Sequence, residues 1–228
     1  LNYSPDAHQR FPAESCAHFD YLEEPLVNLW VLKLKDAFEL KSSNLTFKKR
    51  KFKYRSTLDI DQACKYKHKG ILRNAFGFFR DLKSLEIALL KERISVLFGT
   101  RPDPFYNFEW QKNVHEAYDT LVNYFILLGD HGTYDKNTKH TVQPFKLLIQ
   151  RLDHIERNTV GIHPSYQSNE SAKQVSTEIV RLSEILKTKI THSRQHFLMH
   201  TMPHTYQTLV DNGITEEHTM GFSTHIGF

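Results

Sequence analysis

The sequence predicts an α/β fold built on parallel β-strands, and three observations support this prediction. Residues 51–63 alternate between apolar and polar side chains, which is the period of a β-strand with one apolar face. Residues 123–130 form an apolar run closed by a glycine and an aspartate, as expected for a strand buried on both faces of a parallel sheet. Strand-like and helix-like segments then alternate, which is typical of folds with parallel strands.

The first predicted strand ends in two carboxylates on its polar face. Phe52, Leu58 and Ile60 belong to its apolar face. The polar face ends in Asp59 and Asp61. The two aspartates therefore point the same way at the carboxyl end of the strand, where active sites of parallel α/β folds lie. Two solvated aspartates in a turn are the alternative interpretation, and this segment alone favours that one.

The later elements follow from hydrophobic periodicity and from the glycines and prolines that end each segment. Helices are predicted at 70–98 (as one or two), 108–123, 142–157, 170–186 and 203–212, and strands at 123–130, 159–163, 189–197 and 218–222. The first 45 residues show a helical pattern at 24–40 and no strand pattern. We therefore expect residues 1–45 to be an appendage, the tail of a preceding region, and residues 46–228 to form the α/β domain.

Composition excludes several classes of function. The 228 residues are 39% hydrophobic and 25% charged, as in globular domains, and no apolar run is long enough to span a membrane. The formal charge of +4 is modest and argues against a dedicated nucleic-acid binder. Cys16 and Cys64 are the only cysteines, and no signal peptide is visible, so we expect a cytoplasmic protein.

The run of basic and aromatic residues at 48–55 has two interpretations. It could form a surface that follows phosphates and stacks bases, which would make the chain a nucleic-acid binder. It could instead be the start of the first strand, with its basic face in solvent. The strict alternation favours the strand.

Three predicted strand ends carry residues that could form a metal site. The first end has Asp59 and Asp61, and the second has His163, directly before a proline. At the third end, His192, Arg194 and His196 lie on the same face of the predicted strand. Carboxylates and imidazoles that converge in this way are typical ligands of Zn²⁺, with one position open for water. Each histidine taken singly is more often structural.

Several short segments resemble one family of enzymes. T-L-D-I-D at 57–61, G-I-H-P-S-Y-Q-S at 161–168 and S-R-Q-H-F-L at 193–198 are similar to a divergent bacterial branch of the NodB-homology polysaccharide deacetylases. The segments at 8–15, 65–70 and 205–214 resemble the same branch. The resemblance implies a distorted (β/α) barrel with fewer strands than the eight of a TIM barrel, here incomplete at its C-terminal end.

The resemblance also implies a function, namely metal-dependent hydrolysis of the amide bond in N-acetylated sugars. Asp59 matches the family's general base, His163 matches its first histidine ligand, and Arg194 matches the arginine that steadies the base. Asp61 would be the carboxylate ligand, although the family's common form has two adjacent aspartates instead of D-I-D. The ion would be divalent, of the zinc type. The loop after His163 would assist at the oxyanion, through Ser165 or Tyr166, although ordinary turn chemistry is the preferred interpretation of both residues.

Two departures from the family pattern keep an alternative open. The family's second ligand histidine would fall at Gln167, and we expect His196 to replace it. The family's general-acid histidine has no counterpart before Phe228, so we expect little turnover from this sequence by itself. The alternative is a catalytically silent barrel that binds a glycan or a protein partner.

Overall fold

The computed structural model describes residues 4–16, 19–42, 44–49 and 51–227. Five parallel strands in these ranges form one sheet in the order β1-β2-β3-β4-β5, curled into a half-barrel. The strands are β1 Arg55–Ile60, β2 Leu121–Ile126, β3 Asn158–Ile162, β4 His192–Ser193 and β5 Glu216–Glu217. This architecture confirms the predicted α/β class with parallel strands and agrees with an incomplete barrel.

Helices connect the strands, as parallel pairing requires. These connecting helices are α2 Ile71–Lys83, α3 Ile87–Leu97, α4 Phe108–Ala117, α5 Gln143–Asp153, α6 Ala172–Leu186 and α7 His204–Asp211, whereas α1 Leu26–Lys41 precedes β1. Apolar residues of α5 and α6 pack against the sheet to form the core. None of the described helices combines the length and the hydropathy that a membrane span needs.

The strict alternation in β1 separates a core face from a polar face. Ile60 is buried in the core, and Leu58 packs against it. A buried side chain of this size contributes about 1.5–3 kcal/mol to folding. Thr57 and Asp59, on the other parity, lie on the concave face of the half-barrel. β1 therefore has one apolar face directed at the core and one polar face, as the sequence pattern predicted.

The curl of the sheet brings residues of non-adjacent strands together. Arg194, which follows β4, donates a hydrogen bond from Nη1 to Thr57 Oγ1 of β1 at 3.0 Å. In a flat sheet these two strands would lie about 14 Å apart, three strand spacings. Gly161 of β3 allows this close packing, because a Cβ atom there would lie 2.7 Å from the backbone oxygen of His192 and 2.9 Å from the Phe125 ring.

The strands are shorter than the sequence predicted. β1 begins at Arg55, and Phe52 before it is 92% exposed. Only the six residues from Arg55 to Ile60 pair with β2, and alternation without a hydrogen-bonded neighbour does not make a strand. The strand predicted at 189–197 contains only the two residues of β4, and the one predicted at 218–222 is replaced by β5, which ends before that range. The helix predicted at 108–123 ends at Ala117.

The described N-terminal residues form two 3-10 turns and α1, and none of them pairs with the sheet. No residue of α1 is buried. The loop before it, however, contacts the carboxyl end of the sheet: Arg10 Nη1 donates to the backbone oxygen of Phe197 at 2.8 Å. The domain boundary predicted after residue 45 stays a prediction.

Candidate metal centre

Three of the predicted ligands meet at the carboxyl end of the sheet. Asp61 follows β1, His163 follows β3, and His196 begins a 3-10 turn after β4. Their ligand atoms all lie within 4.8 Å of one another. His163 Nε2 is 3.4 Å from Asp61 Oδ1, and His196 Nε2 is 3.5 Å from Asp61 Oδ2. The structure therefore brings Asp61, His163 and His196 together, as the strand ends predicted.

His196 reaches this cluster by a different route from the one predicted. Strand parity was expected to direct it to the rim, but the extended backbone ends at Ser193. Phe197, inside the turn, has φ +60°, in the left-handed region that non-glycine residues rarely adopt. A backbone in this region costs about 1–3 kcal/mol, so surrounding contacts hold the turn in place.

Both imidazoles are oriented by hydrogen bonds from Nδ1. His163 Nδ1 lies 2.5 Å from the backbone oxygen of Arg194, which can only accept, so Nδ1 carries the proton. His196 Nδ1 lies 2.9 Å from Asp135 Oδ1, a carboxylate oxygen. In a neutral ring each Nε2 then presents its lone pair towards Asp61. Ligand histidines in metal sites are anchored in this way through their second nitrogen.

Asp135 is a site residue that the sequence prediction missed. It is fully buried in the loop after β2, and its carboxylate accepts from the amides of Tyr166 at 2.8 Å and Gln167 at 3.3 Å, as well as from His196. One signal was available, because this loop also follows a parallel strand. The contact itself joins residues 61 positions apart in sequence, which no local pattern shows.

The charges in the cluster shift two titrations. Burial would raise the pKa of the Asp61 carboxyl, but the imidazoles of His163 and His196 reverse this effect and hold that pKa well below its usual range. Burial also opposes the charged form of His196, but the carboxylates of Asp135 and Asp61 outweigh it and raise the pKa of His196 to about 9. Near neutral pH, His196 is therefore protonated on both ring nitrogens in the metal-free protein, with Nδ1 facing the Asp135 carboxylate and Nε2 facing the Asp61 carboxylate.

The two predicted catalytic residues also lie together, beside the cluster. Arg194 Nη1 is 3.5 Å from Asp59 Oδ1, and Asp59 Oδ2 is 4.0 Å from His163 Nε2. One carboxylate oxygen of Asp59 thus faces the arginine, and the other faces the cluster. The Asp59 side chain is 32% exposed, so water can reach it.

The residues predicted to assist at the oxyanion are placed differently from each other. Ser165 is fully buried, and its amide and hydroxyl both donate to the Glu178 carboxylate of α6, at 2.8 and 2.6 Å. Its hydroxyl is therefore directed at α6. Tyr166 lies at the rim, with its Oη 3.2 Å from His8 Nδ1. Gln167, at the position of the family's second histidine, is exposed.

An aromatic cluster adjoins the site. It consists of His8, Tyr134, Tyr166 and Phe197, and we refer to it as the rim cluster. The Tyr134 and Tyr166 rings have centroids 4.3 Å apart, and the Phe197 ring lies 4.7 Å from the ring of His196. Tyr134 is 44% exposed, so the rim cluster offers an apolar surface to solvent beside the candidate ligands.

The donor set fits a divalent ion of the zinc type. Two imidazoles and one carboxylate form the ligand set of many catalytic zinc sites, in which a fourth position stays open. Zinc–ligand bonds of about 2.1 Å place tetrahedral ligands about 3.4 Å apart, close to the separations seen around Asp61. Asp61 Oδ1 is also buried without a hydrogen-bond partner among the described residues, and a cation would satisfy it. Asp61, His163 and His196 are therefore the residues that could hold such an ion.

Comparison with known proteins adds no assignment: no protein-family model matches the chain, and no curated protein matches it significantly. The geometry of the site is accordingly the basis for assigning a function.

Proposed function

We propose that the protein is a metal-dependent hydrolase of amide bonds, a divergent member of the NodB-homology polysaccharide deacetylases that removes acetyl groups from N-acetylated sugars. One observation carries this proposal: Asp61 and the Nε2 atoms of His163 and His196 converge, with Asp59 directly beside them. Both imidazoles are already held through Nδ1. The arrangement has the parts of a hydrolytic metal centre, which are a ligand set, a neighbouring base and access for water.

Asp61, His163 and His196 would hold the ion, which when bound would polarise the amide carbonyl and make water more acidic. Asp59 is the general base. Its Oδ1 is occupied by Arg194, so Oδ2, on the side of the cluster, accepts the proton of the attacking water. Arg194 keeps the carboxylate in place with its guanidinium, which Thr57 also holds.

The rim cluster supports a carbohydrate as the substrate. Tyr134 and Tyr166 present partly exposed rings next to His196, and such rings combine a large apolar surface with a polar hydroxyl. A pyranose has apolar C–H faces and a polar edge, so it matches this surface. The acetamide group of a sugar seated there would lie towards Asp59 and the ligand set. Ser165 has no part in this mechanism, because its hydroxyl is bound to Glu178.

The test separates the two neighbouring aspartates in the intact protein. Asp61→Asn should lose the ion of this centre and the acetate release together, because it removes a ligand, so its zinc content should fall by one ion per chain. Asp59→Asn should keep the metal ion but lose turnover by about two to four orders of magnitude, because the amide cannot accept the proton. Arg194→Gln should behave like Asp59→Asn. Zinc content by elemental analysis and acetate release from acetylated oligosaccharides are measured for each variant.

Asp130→Asn is the matched control. Asp130 follows β2 at the same end of the sheet, but its carboxylate pairs with Arg181 at 3.1 Å and is exposed. This variant should retain both zinc and turnover. If Asp59→Asn loses the ion and Asp61→Asn keeps it, the two roles are reversed. If neither changes zinc content, the carboxylates are not a metal site, and a silent barrel that binds a glycan or a protein is the better assignment.

A further inference from the structure

A second group of metal-ligating side chains lies on the last two strands of the sheet. His192 of β4 and Glu216 of β5 are directly paired in the parallel register, and His218 stands two residues after Glu216 on the same parity. One ligand atom from each of the three side chains lies within 4.8 Å of the others. None of these residues belongs to the cluster around Asp61.

Hydrogen bonding alone does not satisfy this group. His192 Nε2 is 3.3 Å from Glu216 Oε2, whereas His218 Nε2 is 3.9 Å from the same oxygen, too far for a hydrogen bond. His218 Nε2 is buried and has no hydrogen-bond partner among the described residues. Buried polar atoms are nearly always paired, so an unpaired ring nitrogen beside a carboxylate needs an explanation.

The two imidazole rings of this group lie close to each other. The His192 and His218 rings are nearly parallel, with 14° between their planes and 5.9 Å between their centroids. His192 Nδ1 lies 2.9 Å from Thr191 Oγ1, which anchors that ring and leaves Nε2 towards Glu216. An ion between the three side chains would bind His192 Nε2, His218 Nε2 and a Glu216 oxygen at once.

The surroundings are compatible with a cation. The nearby guanidinium is that of Arg194, and it is bound to Thr57 Oγ1 and lies 3.5 Å from Asp59 Oδ1. Its charge is therefore compensated on the side of β1. Glu216 is exposed, so an ion can enter from solvent without a change in the fold.

We propose that His192, Glu216 and His218 form a second divalent-metal site, which takes zinc or a similar ion through two imidazoles and one carboxylate. The site joins β4 to β5, each only two residues long. An ion bound by both strands would stabilise this end of the sheet, because pairing between the four residues of β4 and β5 stabilises it only weakly. This role is separate from hydrolysis and does not depend on it.

Zinc binding to the intact protein, measured by equilibrium dialysis and elemental analysis, tests the proposal. The wild-type chain should bind two zinc ions, Asp61→Asn one, and Asp61→Asn combined with Glu216→Gln none. In the Asp61→Asn background, His218→Gln should lower the affinity for the remaining zinc ion by at least about tenfold. Glu216 is exposed, so its replacement should not unfold the chain, and circular dichroism checks this.

Two controls match these variants. Glu217→Gln changes the neighbouring carboxylate, which bonds to Thr219 instead of facing the two histidines. His154→Gln changes an exposed histidine outside both sites. Neither control should alter zinc binding. The proposal is overturned if Asp61→Asn binds no zinc, or if its zinc is unchanged by both Glu216→Gln and His218→Gln. Absence of deacetylase turnover would refute the proposed function but would leave these zinc measurements interpretable.

Discussion

Replacing Asp135 should weaken metal binding at a centre that Asp135 reaches only through His196. The Asp135 carboxylate accepts hydrogen bonds from His196 Nδ1 at 2.9 Å and from the amide of Tyr166 at 2.8 Å. It is fully buried, so no bulk water can take its place. In Asp135→Ala, the His196 ring loses the contact that aims Nε2 at Asp61, and the Tyr166 amide loses its acceptor.

The expected size follows from these contacts. Loss of a partner that orients a ligand histidine typically reduces metal affinity by about 10- to 100-fold. Leaving a buried donor unpaired costs about 1–3 kcal/mol for each group, so the unfolding free energy of Asp135→Ala should fall by about 3 kcal/mol. Asp135→Asn keeps an oxygen for His196 and Tyr166 but lacks the charge. Its zinc affinity and its unfolding free energy should therefore both be intermediate between those of wild type and Asp135→Ala.

Zinc affinity by competition with a chromophoric chelator and stability by urea unfolding are the two assays. Both are done on each variant, with Asp130→Ala as an exposed control from the same loop. The reasoning is refuted if Asp135→Ala binds zinc at the first centre as tightly as wild type. A loss of stability with unchanged zinc affinity would make Asp135 a residue of the loop alone, with no influence on the ligands.

Two further predictions concern titration and packing. The pKa of His196 is raised to about 9 in the folded protein, from about 6.5 in the unfolded chain. Protonation of His196 therefore contributes fully to the unfolding free energy below about pH 6.5, and this contribution is lost as the pH rises through about 9. The metal-free protein should therefore lose up to about 3 kcal/mol of unfolding free energy across this interval, and His196→Gln should show no such loss in urea unfolding. Ser165→Ala removes a hydrogen bond to buried Glu178 and should lower the unfolding free energy by about 1–3 kcal/mol without changing zinc content. A Ser165→Ala variant with normal stability but reduced acetate release would instead support the oxyanion role that the resemblance implied.

Most of the fold prediction rested on sequence patterns of short range. The alternation at 51–63 correctly separated Leu58 and Ile60, which face the core, from Thr57 and Asp59, which face the concave side. This separation is a property of any extended chain, so it needs no knowledge of the partner strand. The alternation of strands and helices likewise identified the parallel α/β class. Because parallel strands share their carboxyl ends, the placement of Asp61 and His163 at one rim could be expected.

Strand length and the turn after β4 could not be predicted in this way. Phe52 continues the alternation of β1, yet the strand starts at Arg55, because pairing with β2 supplies the hydrogen bonds. His196 reaches the ligand cluster from a 3-10 turn whose left-handed Phe197 no propensity would suggest. Both features depend on neighbours that are distant in sequence.

The sequence by itself determined which side chains share a face and which stand at strand ends, since these follow from the two-residue period of the backbone. Only the tertiary structure decided which partner each of them has. Asp135 anchors His196 across 61 positions of sequence, and Ser165 is bound to Glu178 instead of facing the ligands. The pairing of His192 with Glu216 likewise required the register of β4 against β5. The physical reason is that burial leaves each polar group needing a partner, and the curl of the sheet determines which ones are within reach.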